Sequence, residues 1–141
     1  MKCRTWMFAL TLTLLPLLAT AQLSSTQKIG AQVPFEFAVA NKVVPAGMFI
    51  VETTAISPEI LSLRNADSKV NLFILASRDE TGTPAANYAL VFHKYGDQCF
   101  LWGMKLKGSR TIYRMPRSKA EAELLARNVP ATEEILLASL R

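Results

Sequence analysis

The stretch that decides the fold is residues 87–106, NYALVFHKYGDQCFLWGMKL. It reads as two strands joined by Gly96-Asp97, a two-residue turn with glycine first, where the backbone needs a positive φ. That turn sets a register. Tyr95 faces Gln98, His93 faces Phe100 and Val91 faces Trp102, all on one face of the sheet. Phe92, Lys94, Cys99 and Leu101 share the other. Both faces carry large apolar groups, so the hairpin is expected to be covered on both sides for part of its length.

Toward the N-terminus the same signals recur at short intervals. Val33, Phe35, Phe37 and Val39 alternate with Pro34, Glu36 and Ala38, the period of a strand with one apolar face. Pro34 cannot donate to a ladder and is placed at an edge or near the strand's start. Asn41-Lys42 and Pro45-Ala46-Gly47 read as turns, residues 48–53 as the next strand, and Ser57-Pro58-Glu59 as its break. Residues 60–64 and 70–77 form a predicted hairpin around Asn65-Ala66-Asp67-Ser68, where Asn and Asp side chains bond to nearby backbone. Residues 78–84 read as a polar loop.

Toward the C-terminus, residues 108–115 hold a turn and a short strand. Pro116 then introduces a helix. Ser118 is its N-cap and Glu121 the reciprocal partner of a capping box. Lys119 with Glu123, and Glu123 with Arg127, stand at i,i+4 spacing. Ala120, Leu124 and Leu125 are the expected buried stripe, and Asn128 and Pro130 the stop. Residues 135–140 read as a closing strand. The fold class is therefore mainly β: a small antiparallel β-sandwich or partly open barrel with one α-helix in the C-terminal region.

The first residues carry a different message. Lys2 and Arg4 precede a mainly apolar run over residues 6–18, and Ala19-Thr20-Ala21 supplies small residues where a signal peptidase reads. This is the order of a secretory signal peptide over residues 1–21, with cleavage after Ala21. The run is shorter than the roughly 20 apolar residues a membrane span needs. Residues 22–141 are then expected to form a single β-rich domain, periplasmic or extracellular, with a loose start over 22–27 and no transmembrane span. Removing Lys2 and Arg4 from the sixteen basic residues leaves fourteen against eleven acidic, a net charge of +3. That is too mild for a nucleic-acid-binding surface. Cys3 leaves as well, so Cys99 has no intramolecular partner and is expected to be buried as a small apolar group.

Several of these segments together resemble a known group. They are Pro34-Phe35-x-Phe37, then Asn41-Lys42-x-x-Pro45-Ala46-Gly47-x-Phe49-x-Val51, Phe92-His93-x-Tyr95-Gly96-Asp97-x-x-Phe100-Leu101, and Pro116-Arg117-Ser118-Lys119-Ala120-Glu121. They resemble a family of small exported, β-rich bacterial proteins of unknown function, mostly acidobacterial. The resemblance implies a signal peptide and a small β-rich domain, and carries over no catalytic residue.

The chemistry legible in the chain is sparse. His93 is the sole histidine, and metal sites need three or four spaced ligands; no metal ligand set, cofactor or catalytic residue is assigned. A Cys99–His93 nucleophilic pair is opposed by the register, which points the two side chains to opposite faces. His93 is instead expected to pack near Phe100. Glu52 with Glu59, and Asp79 with Glu80, are carboxylate pairs that nothing holds at a working separation. Lys105, Lys107, Arg110, Arg114, Arg117 and Lys119 form a basic run with no acid between them, a candidate surface for an anionic partner. Tyr113 within it could stack on a sugar, and the plain alternative is a solvated strand edge. The expected function is a non-enzymatic binding or structural component of the cell envelope, meeting an anionic envelope component or another protein. The alternative is an enzyme with an unrecognised active site.

Overall fold

The computed structural model describes residues 26–65 and 67–141. The segment read as a signal peptide, with its cleavage point at Ala21, lies outside the described residues, as does Ala66 in the 65–68 turn. The strands are β1 Lys28–Val33, β2 Phe37–Val39, β3 Lys42–Val44, β4 Gly47–Thr53, β5 Ile60–Asn65, β6 Val70–Leu75, β7 Ser77–Glu80, β8 Ala89–Tyr95, β9 Gln98–Lys105, β10 Thr111–Arg114, β11 Thr132–Leu137 and β12 Ser139–Leu140; the helix α1 is Lys119–Ala126. One sheet has the order β12-β1-β4-β5-β6 and the other β11-β8-β9-β10-β7, with the β2–β3 hairpin joined to β9. The pairing is antiparallel throughout except for a parallel contact of Ala38 with Phe100 and a bridge of Ala85 with Lys107. The two sheets share one apolar core and do not close into a barrel, so the molecule is a small β-sandwich.

The core is centred on Phe37, Phe49 and Phe92. Phe37 meets Phe49 of the facing sheet at 5.0 Å and Phe92 at 5.2 Å, both edge-to-face, a geometry aromatic rings prefer. Leu61, Leu63, Ile74, Leu90 and Met104 are among the other fully sealed residues.

The chain passes between the sheets at short corners, and three of these corrected the strand assignments. Residues 33–39 are two strands: β1 ends at Val33 and the chain turns at residues 34–36 into β2. Pro34, with no N–H to offer, sits at that corner. Residues 70–77 likewise break at Ala76, and β7 occupies the start of the expected polar loop. Residues 135–140 divide at Ala138, with β11 beginning earlier, at Thr132, and β12 pairing β1 in the other sheet. The alternation continues through each corner because residues on both sides still point into the same core: Val33 from one sheet, Phe37 and Val39 from the other.

Other differences are local. Gln27 is held rather than loose, since its N–H donates to Thr53 Oγ1 and its carbonyl accepts from the Thr53 N–H. The β2–β3 turn is Ala40-Asn41, both at positive φ, and Lys42 already belongs to β3. In the deciding hairpin Tyr95 pairs Gln98 and His93 pairs Phe100, and Gly96 has φ 59°. A bulge then inserts Trp102, so Val91 faces Gly103 instead. The helix is capped by Ser118 Oγ, which accepts from the Glu121 N–H at 3.1 Å. It ends on Asn128 at φ 55°, with Asn128 N–H bonding to the Leu125 carbonyl and Val129 N–H to the Leu124 carbonyl, a Schellman closure. The expected buried stripe is not there: Ala120 and Leu125 are exposed, Leu124 is half-buried, and the inward residue is Glu121. Among the described residues neither Lys119–Glu123 nor Glu123–Arg127 closes into an ion pair.

Gly47 shows how tightly one turn is built. Its φ is 155°, and a Cβ there would lie 2.5 Å from Asn65 Nδ2. Asn65 is buried, and its Oδ1 accepts from the Asp67 and Ser68 N–H groups to hold the β5–β6 turn. Gly47→Ala is therefore expected to cost about 1–3 kcal/mol through strain and displacement of Asn65. Urea denaturation of the variant reads this as a lowered midpoint with an unchanged slope.

Candidate functional site

The outer face of the β8–β9 sheet carries two features, one at each end. At the Gly96 end lies helix α1. Its Glu121 side chain, 3% exposed, points down onto the sheet. Tyr95 OH donates to Glu121 Oε1 at 3.1 Å, and His93 Nδ1 stands 3.5 Å from the same oxygen. The His93 ring stacks on Trp102, centroids 4.8 Å apart, and Tyr95 packs edge-on to Phe100. The carboxylate expected to close a capping box is thus committed to Tyr95 and His93. Burial pushes the Tyr95 phenol above its ordinary 10.0, and the neighbouring Glu121 adds to the push. A helix of this length is marginal alone. Here it is tied down by Glu121, by the Ser118 cap and by Lys119 N–H donating to Asn41 Oδ1 of the β2–β3 turn at 2.9 Å.

At the other end of β8 is an open groove of about 300 Å³. Strand pairing sets a row across its floor: Leu137, Ala89, Lys105, Ile112 and, at the edge, Asp79. Ile135 extends the apolar part. Thr81, Thr83, Asn87, Ser109 and Thr111 supply hydroxyl and amide groups around it. The wall formed by residues 81–87 is held in place. Thr81 N–H and Oγ1 both donate to the Arg110 carbonyl, Ala85 N–H to Ser109, and Gly108 N–H to Ala85. Among the described residues Lys105 is the one charged side chain lining the groove. Among the described residues it has no ion pair.

The six basic residues do not make one patch. Lys105 lines the groove, Lys107 bridges to Ala85 in its wall, and Arg110 bonds to Thr81. Arg114, at the far end of β10, is paired with Asp79. Arg117 and Lys119 lie at the helix entry. Tyr113 is buried in the core with the Arg78 guanidinium 5.8 Å from its ring, so it is not a surface stacking platform. Glu52 is paired with Arg64 at 2.9 Å.

Cys99 and His93 leave opposite faces, since Cys99 pairs Lys94 and His93 pairs Phe100. Cys99 is buried in the core, and burial raises its thiol pKa, with Lys94 partly opposing. The thiolate is the reactive form. Iodoacetamide at pH 8 is expected to modify native Cys99 at least about tenfold more slowly than the unfolded chain, followed by intact mass.

Compared with protein-family models, with curated proteins and with solved structures, the chain finds no match.

Proposed function

We propose that this chain is an exported bacterial envelope protein that acts by binding an anionic envelope component. The observation that carries the reading is the groove over β9, where Lys105, without an ion pair among the described residues, stands on an apolar floor within a hydrogen-bonded wall. The signal-like start over residues 1–21 and the resemblance to small exported bacterial proteins supply the compartment. Lys107 and Arg110 extend positive charge beyond Lys105, which raises the local concentration of anions.

The test is retention of the mature chain, beginning at Gln22, on envelope extract immobilised as a matrix. Salt-sensitive retention that is lost in Lys105→Ala/Lys107→Ala/Arg110→Ala and kept in Arg114→Ala/Arg117→Ala/Lys119→Ala supports the reading. Equal retention of both variants sinks it. Intact mass of the protein recovered from its host tests export separately.

A second reading, an enzyme, is favoured by one observation. A carboxylate beside Nδ1 of a partly exposed imidazole is how a general base is oriented. Activity that survives His93→Gln would remove His93 as a general base, and absence of hydrolytic activity toward envelope substrates would remove the alternative.

A further inference from the structure

We infer that the groove takes a single small amphiphilic carboxylate, its carboxylate at Lys105 and its aliphatic part along Ile112, Ile135 and Leu137. This rests on the reading of the chain as a binding protein and names the ligand class. Four observations converge on it. First, Lys105 stands on a central strand, between Ala89 and Ile112, which are both buried. Its ammonium therefore rises from an apolar floor rather than from a solvated edge. Second, the acid nearest in its row, Asp79, is engaged by Arg114. Glu80, opposite Thr111, makes no ion pair among the described residues. The Lys105 charge is thus left for an external anion. Third, the apolar part of the groove is aliphatic and reaches the outermost strand of this sheet, where Ile135 is 49% and Leu137 69% exposed. Among the described residues no aromatic ring lines it, so it offers a chain a surface but offers a sugar ring no stacking plane. Fourth, about 300 Å³ is at the small end of ligand sites, which suits one molecule and not a bilayer.

Thr83 and Ser109 line the groove with the floor residues, where their hydroxyls can supply hydrogen bonds to carboxylate oxygens. A charge-assisted bond to Lys105 would give the orientation, and burial of methylenes on Leu137 and Ile135 the affinity.

The experiment uses the mature chain with sodium octanoate as probe, read by calorimetry and by methyl chemical shifts of Ile112, Ile135 and Leu137. Acetate, octylammonium, octyl glucoside and phosphatidylglycerol vesicles are the comparison arms. Octanoate is expected to bind and shift those methyls, while acetate and octylammonium do not. Lys105→Gln is expected to weaken octanoate about tenfold or more, the loss of one charge-assisted contact. Leu137→Ser, on the exposed outermost strand, is expected to weaken it independently. Equal octanoate binding by Lys105→Gln, or binding of octylammonium or octyl glucoside in its place, overturns the carboxylate assignment and leaves a binding groove standing. Binding to vesicles alone overturns the single-molecule assignment. Silence of every probe with envelope retention intact overturns this inference and not the broader reading; loss of both overturns the two together.

Discussion

Phe37→Ala is expected to cost about 3–5 kcal/mol, the range for emptying a buried aromatic site. A domain's whole stability is about 5–15 kcal/mol, so the variant sits near the edge of folding. Phe37 is 1% exposed and is the ring that joins the sheets, touching Phe49 on one and Phe92 on the other. The cavity would open between the layers, where neither sheet can close over it without sliding. Phe73 supplies the internal comparison. It is also a strand phenylalanine, on β6, but 68% exposed on the outer face. Phe73→Ala is expected to change stability by about 0.5 kcal/mol or less. Guanidinium titration of both variants checks the contrast. Equal losses would mean that Phe37 is not the ring joining the layers.

Phe73 stands in an unbroken apolar run, residues 72–76, that hides its outward placement, but the inward placement of Phe37 was legible in the sequence, because period-2 alternation reports which side chains face the core. It does not report which sheet a strand belongs to. Val33 and Phe37 continue one alternation although the chain changes sheets between them. The same is true across Ala76 and Ala138. A corner of one to three residues leaves no gap in the pattern when both sheets look inward at the same core. So the fold class followed from the sequence and the strand boundaries did not. The hairpin over residues 89–105 was readable to its register near the turn, where Gly96 dictates the geometry, and lost beyond it, where the Trp102 bulge shifts the pairing by one.

The candidate site was less legible for a related reason. Lys105 was visible as one of six basic residues, but only the tertiary pairing separates it from Arg114, which is neutralised by a residue 35 positions earlier, Asp79. The groove's wall comes from residues 81–87, which carry turn chemistry and no motif. The bulge matters here as well. Had Trp102 been paired with Val91 in regular register, Lys105 would fall opposite Tyr88 on the core-facing side, and the groove floor would have no cation.

Glu121→Ala is expected to be the most costly change outside the apolar core, at about 2–4 kcal/mol. The carboxylate is buried, and deleting it strands the Tyr95 hydroxyl and the inward nitrogen of His93, each costing about 1–3 kcal/mol when left unpaired. It also removes the inward contact of a helix that cannot hold itself. Glu121→Gln keeps the size and an oxygen that can accept from Tyr95, and is expected to recover about half of the loss. The alkaline limb of stability separates this account from simple loss of packing. The folded Tyr95 phenol titrates above 10.0, by burial first and Glu121 second. Its contribution is complete below pH 10.0, and it is lost as pH rises through the folded value, because the unfolded chain releases that proton first. Cys99 adds a loss of the same sign that begins above 9.0, so the comparison belongs in a Cys99→Ala background. There, denaturation measured from pH 8 to 11 should show stability falling above pH 10, a smaller fall in Glu121→Gln, and none from this source in Tyr95→Phe. A Tyr95→Phe variant whose alkaline limb matches its parent would show that the phenol is not buried against Glu121, and that the helix is seated on the sheet in some other way.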